Sequence, residues 1–227
     1  MVQPIADNTN ILNRANYLPN KNEENNHEII YDPLKYFSKK VKECRIQKKL
    51  SQEKLAGNAN DLTSPGQKDV DLYNTIVAVE ARSTNISVSA AILISNVLEV
   101  PLGDFLPPIV VKNDVWGNIM CAKLIDMMKN TAKEQITVQG IMAAQLNLLK
   151  VLSGYNCKEI ANKAGLARRT IEYYCRKGYK YTPSLYNVYA IACAFAVPID
   201  LLLPCSVKYL VAYKKISDAN VLKTDGN

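Results

Sequence analysis

Basic side chains are concentrated in the second half of the sequence. Residues 141–204 hold eight Lys and Arg against three Asp and Glu, a net charge of +5, whereas the whole chain carries +7. Arg168 and Arg169 are adjacent, and the planar arginine side chain can bind guanine or phosphate through two hydrogen bonds at once. A compact basic segment is expected of a protein that binds a polyanion, although a solvated basic face would have the same charge.

Residues suited to catalysis or to metal binding are scarce. The single histidine, His27, lies in a polar segment, and the six cysteines are far apart without a CxxC pair. The sequence contains no Walker A loop, no HExxH, no GxSxG and no paired-carboxylate site. We therefore expect no enzyme, no metal site, no cofactor and no small-molecule ligand. The cysteines are expected to be reduced and to serve mostly in packing.

The hydropathy pattern argues against a membrane protein. No stretch approaches the roughly eighteen uninterrupted apolar residues of a spanning helix. The first ten residues, MVQPIADNTN, lack the basic start and the apolar core of a secretory signal. We expect a cytoplasmic protein without membrane contact, with one large domain or two small ones.

Apolar residues recur with helical spacing along most of the chain, and no strand-period alternation competes with them. The fold class is therefore predicted to be all-α. Ser51 is predicted to cap a helix, residues 57–67 (GNANDLTSPGQ) to form turns, and Gly165 to turn the chain. The other helices are predicted from residue 36 and over about 70–81, 88–98, 108–135, 142–152, 166–175 and 185–195, with one more from Asn156.

The second half of the sequence repeats the first. Leu55-Ala56 matches Ile160-Ala161 at an offset of 105 residues, and Ile94 matches Ile191 at an offset of 97. The long 57–67 segment reduces the offset to 95, and two extra residues in 178–183 restore it to 97. We refer to residues 37–107 and 141–204 as the first and the second copy. Such a duplication predicts one helical unit that occurs twice.

Both copies resemble the Cro/C1 repressor (XRE) family of helix-turn-helix proteins. The second copy does so at IANKAGLARRTIEYYCRKG and at SLYNVYAIACAFAVPIDLLL. The first does so at KECRIQKKLSQEKLA, at TIVAVE and at SVSAAILISNVLEVPLGDFL. Together the copies cover about 130 of the 227 residues. The resemblance implies two lambda-repressor-like helix-turn-helix bundles joined by an amphipathic helix.

Composition, apolar spacing and the resemblance together predict the organisation of the chain. The expected segments are a flexible Asn-rich tail (1–30), a first, degenerate helix-turn-helix domain with a long internal loop (31–107), a linker helix (108–135), a second helix-turn-helix domain (136–204) and a C-terminal tail (205–227).

The resemblance implies that the third helix of the second copy enters the major groove of DNA. Leu166, Thr170, Ile171 and Tyr174 are expected to face the core. The DNA-binding residues expected on the opposite side are Ala167, Arg168, Arg169, Glu172, Tyr173 and Arg176. Near the ends of the motif, where the family contacts phosphates, the expected residues are Lys177, Asn156 and Lys158. Gln52 of the first copy occupies a position that commonly contacts DNA in the family.

The first copy departs from the pattern. Its third helix offers Tyr73, Asn74 and Val77 outward with no cation, and Asp71 near the helix start would repel phosphate. Glu80 matches an acid that in the family pairs with a nearby arginine, whereas the second copy has Cys175 there. We expect the first copy to be a degenerate, auxiliary or protein-contacting module.

The expected function is that of a sequence-specific DNA-binding transcriptional regulator, such as a repressor, with double-stranded DNA as its partner. The alternative is a helical protein-interaction module of the antitoxin or anti-repressor type that does not bind DNA. A homodimer and a pairing of the two copies within one chain are both compatible with the sequence.

Overall fold

The computed structural model describes residues 32–62, 71–82, 84–110, 115–131, 137–176 and 178–203. These residues form helices joined by turns, which confirms the all-α prediction. The predicted tails, 1–30 and 205–227, and residues 63–67 of the predicted loop lie outside the described residues. Among the helices that are described, none is long and apolar enough to cross a membrane.

Within the described residues, each copy contains four α-helices and then a 3₁₀ turn, in the same order. Those of the first copy are α1 (Pro33–Gln47), α2 (Gln52–Asp61), α3 (Leu72–Arg82), α4 (Val88–Leu98) and the 3₁₀ turn Leu102–Phe105. Helix α5 (Val115–Thr131) follows, inside the predicted linker. Those of the second copy are α6 (Val138–Ser153), α7 (Cys157–Ala164), α8 (Arg168–Tyr174), α9 (Leu185–Phe195) and the 3₁₀ turn Ile199–Leu201.

The fourth helix begins and ends in the same way in both copies. The side chains of Ser87 and Ser184 cap α4 and α9 by accepting a hydrogen bond from the backbone N–H three residues later. Glu99 and Ala196 end the two helices in the left-handed region, with φ of 53° and 52°. Each is followed by a valine and a proline, and proline cannot continue a helix. The predicted bounds 88–98 and 185–195 are confirmed.

Equivalent positions are buried in both copies, and the same helices pack together. In each copy the second helix packs on the third and on the fourth, and the third packs on the first. The buried pairs of equivalent residues are Leu55 and Ile160, Ala56 and Ala161, Ala59 and Ala164, Ile76 and Ile171, and Ile94 and Ile191. The small alanines let the second helix approach its neighbours closely.

The predictions for three elements are wrong. Helix α6 begins at Val138, four residues before the predicted Met142. Helix α2 continues through Gly57 to Asp61, where the sequence predicted turns. The extension buries Ala59 completely in the core, so tertiary packing outweighs the weak helix propensity of the Gly and Asn residues around it. Helix α8 begins at Arg168 rather than at Leu166, because Ala167 is its N-cap with an extended backbone.

Helix α5 packs against α6 and against the second 3₁₀ turn. Its buried residues are Met120, Leu124, Ile125 and Met128. Ile119, predicted on the same apolar face, is instead 39% exposed, and the side chain of Trp116 is not described. The fully buried amide of Gln145 on α6 donates a hydrogen bond to the carbonyl oxygen of Leu124 over 3.0 Å. This bond ties the linker to the second copy.

The two copies meet through equivalent residues. The N–H of Val88 donates to the carbonyl of Pro183, and the N–H of Leu185 donates to the carbonyl of Ile86, each over 2.8 Å. Val88 and Leu185 are equivalent at the offset of 97, as are Ile86 and Pro183. Such reciprocal bonds are the mark of an approximate two-fold axis. The copies are therefore paired within one chain.

Candidate nucleic-acid interface

Helices α7 and α8 form a compact pair with a tight turn. Asn156 caps α7 by accepting hydrogen bonds from the N–H groups of Lys158 and Glu159, and the Glu159 carboxylate accepts the N–H of Asn156 in return. This capping box fixes the start of the helix. Gly165 ends α7 with φ of 63°, a left-handed conformation that glycine adopts without steric cost.

Helix α8 has a buried side and an exposed side. Ile171 is completely buried and Tyr174 is 7% exposed, so these two anchor the helix to the core. Leu166 and Thr170, predicted to face the core, are half-buried. The exposed residues on the other side are Ala167, Arg168, Arg169 and Arg176. The two arginines at the start of α8 are thus presented on a rigidly held helix.

The two adjacent arginines differ in their surroundings. Nε of Arg168 lies 2.6 Å from a carboxylate oxygen of Glu172, one helical turn away. This i,i+4 ion pair is largely exposed, so it contributes only about 0.3–0.5 kcal/mol, and it engages the Nε–H group of the guanidinium. Arg169 makes no ion pair with any residue that the structure describes. Arg169 is therefore a cation at this surface that is available to a ligand.

Tyr173 supports the segment after α8 rather than standing free on the surface. Its hydroxyl accepts hydrogen bonds from the backbone N–H groups of Lys180 (3.2 Å) and Tyr181 (3.3 Å). Its ring lies against Tyr174, Tyr179 and Tyr181, at centroid distances of 5.1–6.4 Å. The side chain is half-buried, and we assign it to packing.

Two of the three residues expected near phosphate, Asn156 and Lys158, lie at the start of α7. Lys158 is exposed at its first turn, while the side-chain oxygen of Asn156 is used in the cap. An open cleft of about 640 Å³ lies beside them and is also lined by Lys150, Cys157 and Arg168. Lys177, expected to contact phosphate as well, lies outside the described residues.

Nothing matches this chain in comparisons with models of known protein families, with curated proteins and with solved structures. The functional argument therefore depends on the geometry of the chain itself.

In the first copy, Gln52 belongs to a buried ionic cluster. Glu80 accepts two hydrogen bonds from the guanidinium of Arg45, at 2.6 and 2.8 Å, and a third from the amide of Gln52 at 2.8 Å. Burial alone would raise the pKa of Glu80, but these hydrogen bonds outweigh it and hold the pKa below its ordinary value. The arginine expected to pair with Glu80 is thus Arg45, and the Gln52 side chain holds the cluster together.

The outward residues of α3 named above, Tyr73, Asn74 and Val77, include no cation. Tyr73 is 41% exposed, and the Asn74 amide donates to the Asp71 carboxylate over 2.5 Å while Asp71 also accepts the Asn74 N–H. At the offset of 95, Tyr73, Asn74 and Val77 correspond to Arg168, Arg169 and Glu172. The two copies therefore present chemically different surfaces on equivalent helices.

Two features of the site were missed by sequence reasoning. The Arg168–Glu172 pair was visible in the sequence, because four-residue spacing of opposite charges predicts such a pair on a helix. The contacts of Tyr173 with residues 179–181 had no comparable sequence signal, since they depend on how the chain returns after α8.

Proposed function

We propose that this protein is a sequence-specific DNA-binding transcriptional regulator that reads the major groove mainly through α8. The observation that carries the proposal is the exposed pair Arg168-Arg169 at the start of a helix whose opposite face is held by Ile171 and Tyr174. Side chains at the start of such a helix reach base edges when the helix lies in the major groove. A cytoplasmic location is part of this proposal.

The charge distribution supports the same proposal. The second copy carries a net +5, and Lys158, Lys163 and Arg176 lie around the two ends of the α7–α8 pair. Contacts from lysine and arginine to phosphates position a protein on DNA without reading sequence. Lys163 also lies 4.8 Å from the ring centroid of Tyr155, a cation–π contact that orients its side chain.

The first copy has an auxiliary role in this proposal. It is paired with the second copy through the backbone bonds of Val88 and Leu185, and α3 offers DNA the neutral side chains of Tyr73 and Asn74. A single chain thus holds two unequal helix-turn-helix units in one fixed arrangement. We therefore expect an asymmetric DNA site, in which the half bound by the second copy carries most of the sequence specificity.

The proposal is tested by selection from a random double-stranded DNA library with the full chain, followed by mobility-shift titration of the enriched sequence. We expect one enriched motif and binding that weakens with salt. Arg169→Ala should lower the affinity, whereas Lys39→Ala, which removes an exposed cation of the first copy, should not. No enrichment and no shift at low salt would contradict the proposal.

The alternative is a helical protein-interaction module without DNA contact. It is favoured by the ion pair that neutralises Arg168 and by the exposed apolar residues of the first copy, Ile46 (57% exposed) and Leu62 (53% exposed). A partner protein bound with little dependence on salt, together with no shift of any DNA, would favour this alternative.

A further inference from the structure

The second copy carries two cysteines where the first copy has its ionic cluster. At the offset of 105, Arg45 corresponds to Lys150 and Gln52 to Cys157, and at the offset of 95, Glu80 corresponds to Cys175. The polar ends of Gln52 and Glu80 lie 2.8 Å apart in the first copy. Because both copies pack the same helices in the same way, the two cysteines occupy positions whose side chains meet in the first copy.

The surroundings of the two thiols agree with this placement. Cys157 is the first residue of α7, Cys175 is the C-cap of α8, and both are half-buried with free thiols. Burial raises the pKa of the Cys175 thiol to about 11, and the neighbouring Cys157, with which it shares a side-chain hydrogen bond, adds to the rise. The two thiols are therefore near neighbours in the reduced protein.

Access from solvent differs between the two cysteines. Cys157 lines the open cleft beside α7, together with Lys150 and Lys158. An oxidant that enters this cleft reaches Cys157, whereas Cys175 is not among the residues that line it. The other described cysteines, Cys44, Cys121 and Cys193, lie on α1, α5 and α9.

We propose that Cys157 and Cys175 are a redox-active pair that closes to a disulfide between the start of α7 and the end of α8. With a small-molecule disulfide such as oxidised glutathione as the oxidant, the Cys157 thiolate attacks one of its sulfur atoms and releases one thiolate. The Cys175 thiolate then attacks Cys157 in the mixed disulfide, which forms the protein disulfide and releases the second small thiolate. The protein loses two protons and two electrons, and the small disulfide is reduced to two thiols.

The bridge would close a loop that contains the exposed arginines. Residues 158–174 lie between the two cysteines and include the Gly165 turn and the Arg168-Arg169 pair. A disulfide across this segment restricts the unfolded chain and fixes α7 against α8 in the folded one. Formation of the bridge does not depend on the proposed DNA binding. The disulfide can therefore be tested even if the protein is found not to bind DNA.

The direct test equilibrates the full chain with glutathione at defined ratios of its oxidised and reduced forms. The sample is then quenched with acid, alkylated with N-ethylmaleimide, digested with trypsin and analysed by mass spectrometry. We expect peptides 151–158 (VLSGYNCK) and 170–176 (TIEYYCR) to appear joined, and the joined species to decrease as reduced glutathione rises. Both peptides alkylated at every ratio, or glutathione attached to Cys157 alone, would overturn the proposal.

A second measurement compares melting temperatures. The oxidised chain should melt about 5 °C or more above the reduced chain, because a bridge over a short loop stabilises the folded state. Cys157→Ser and Cys175→Ser should each abolish the difference, while the matched control Cys44→Ser should keep it. An oxidised wild-type chain that melts no higher than the reduced one would contradict a bridge formed between the folded helices.

Discussion

Gly103 and Asp200 occupy the same position in the two copies, and they contact each other. The N–H of Gly103 donates a hydrogen bond to the Asp200 carboxylate over 3.1 Å, and Asp200 is 1% exposed. Ser87 and Ser184, another equivalent pair, face each other in the antiparallel bridge. A residue that meets its own counterpart lies near a two-fold axis. The two copies therefore form an internal pseudo-dimer whose contacts lie along that axis.

Substitution of Gly103 tests this interface. A β-carbon at this position would lie 2.5 Å from a carboxylate oxygen of Asp200, so Gly103→Ala forces the two copies apart or displaces the carboxylate. We expect a loss of about 1–3 kcal/mol in the free energy of unfolding, measured by urea denaturation.

The matched control is Gly57→Ala in α2. A β-carbon there has nothing within 4 Å, and alanine favours the helix, so we expect a gain of up to about 1 kcal/mol. Equal effects of the two substitutions would contradict a close contact at Gly103.

The sequence predicted the helices well where local signals decide the structure. Helix α4 matches its predicted bounds because Ser87 caps it and Pro101 follows its end. The contact of Gly103 with Asp200 could not be predicted in this way, since it depends on which faces of the two copies meet. Helix α2 continued past Gly57 because burial of Ala59 outweighs local propensity.

The sequence predicted where the candidate site lies along the chain, but not which of its side chains bond to each other. The exposure of the α8 arginines follows from the helical period, although the sequence placed the start of the helix two residues too early. That Arg168 pairs with Glu172, and that Gln52 is held by Glu80, depends on side-chain geometry. Each of these pairings engages a polar side chain that the sequence analysis expected to be available for contact with DNA.

The Arg45–Glu80–Gln52 cluster predicts a pH dependence of stability. Since the pKa of Glu80 is below its ordinary value of 4.5 in the folded chain, the unfolded chain binds more protons at acidic pH. The stabilisation from this group is complete above about pH 5 and is lost as the pH falls through the folded-state pKa.

Melting temperature measured from pH 7 to pH 3 checks the prediction about the cluster. We expect Glu80→Gln to be less stable than wild type at pH 7 by about 1–3 kcal/mol and to lose less stability on acidification. Glu53→Gln, which changes an exposed glutamate on α2, should follow the wild-type curve. If the melting temperature of Glu80→Gln falls with pH in parallel with that of the wild type, the cluster does not determine the acid sensitivity of the protein.

Salt dependence tests the positioning role of the basic residues around α7. About four phosphate contacts would give a slope of roughly −3 to −4 for the logarithm of the binding constant against that of the salt concentration. Lys158→Ala should weaken binding to all sequences alike and reduce the slope by about one. Filter-binding isotherms at several salt concentrations measure both quantities, and a complex insensitive to salt would argue for a protein partner.

The last prediction separates the contributions of Arg168 and Arg169. Arg169→Ala should cost about 1–3 kcal/mol of binding free energy and relax the preference at one base position. Arg168→Ala should cost less, because the guanidinium of Arg168 is already bonded to Glu172 in the free protein. Glu172→Gln weakens that bond and should raise the affinity.

Binding isotherms on the selected site and on single-base variants of it provide the measurement. Tyr73→Ala and Asn74→Ala are the matched controls, since these residues correspond to Arg168 and Arg169 on the equivalent helix of the first copy. They should change specificity little. Larger losses of specificity at Tyr73 and Asn74 than at the two arginines would mean that α3, not α8, reads the DNA.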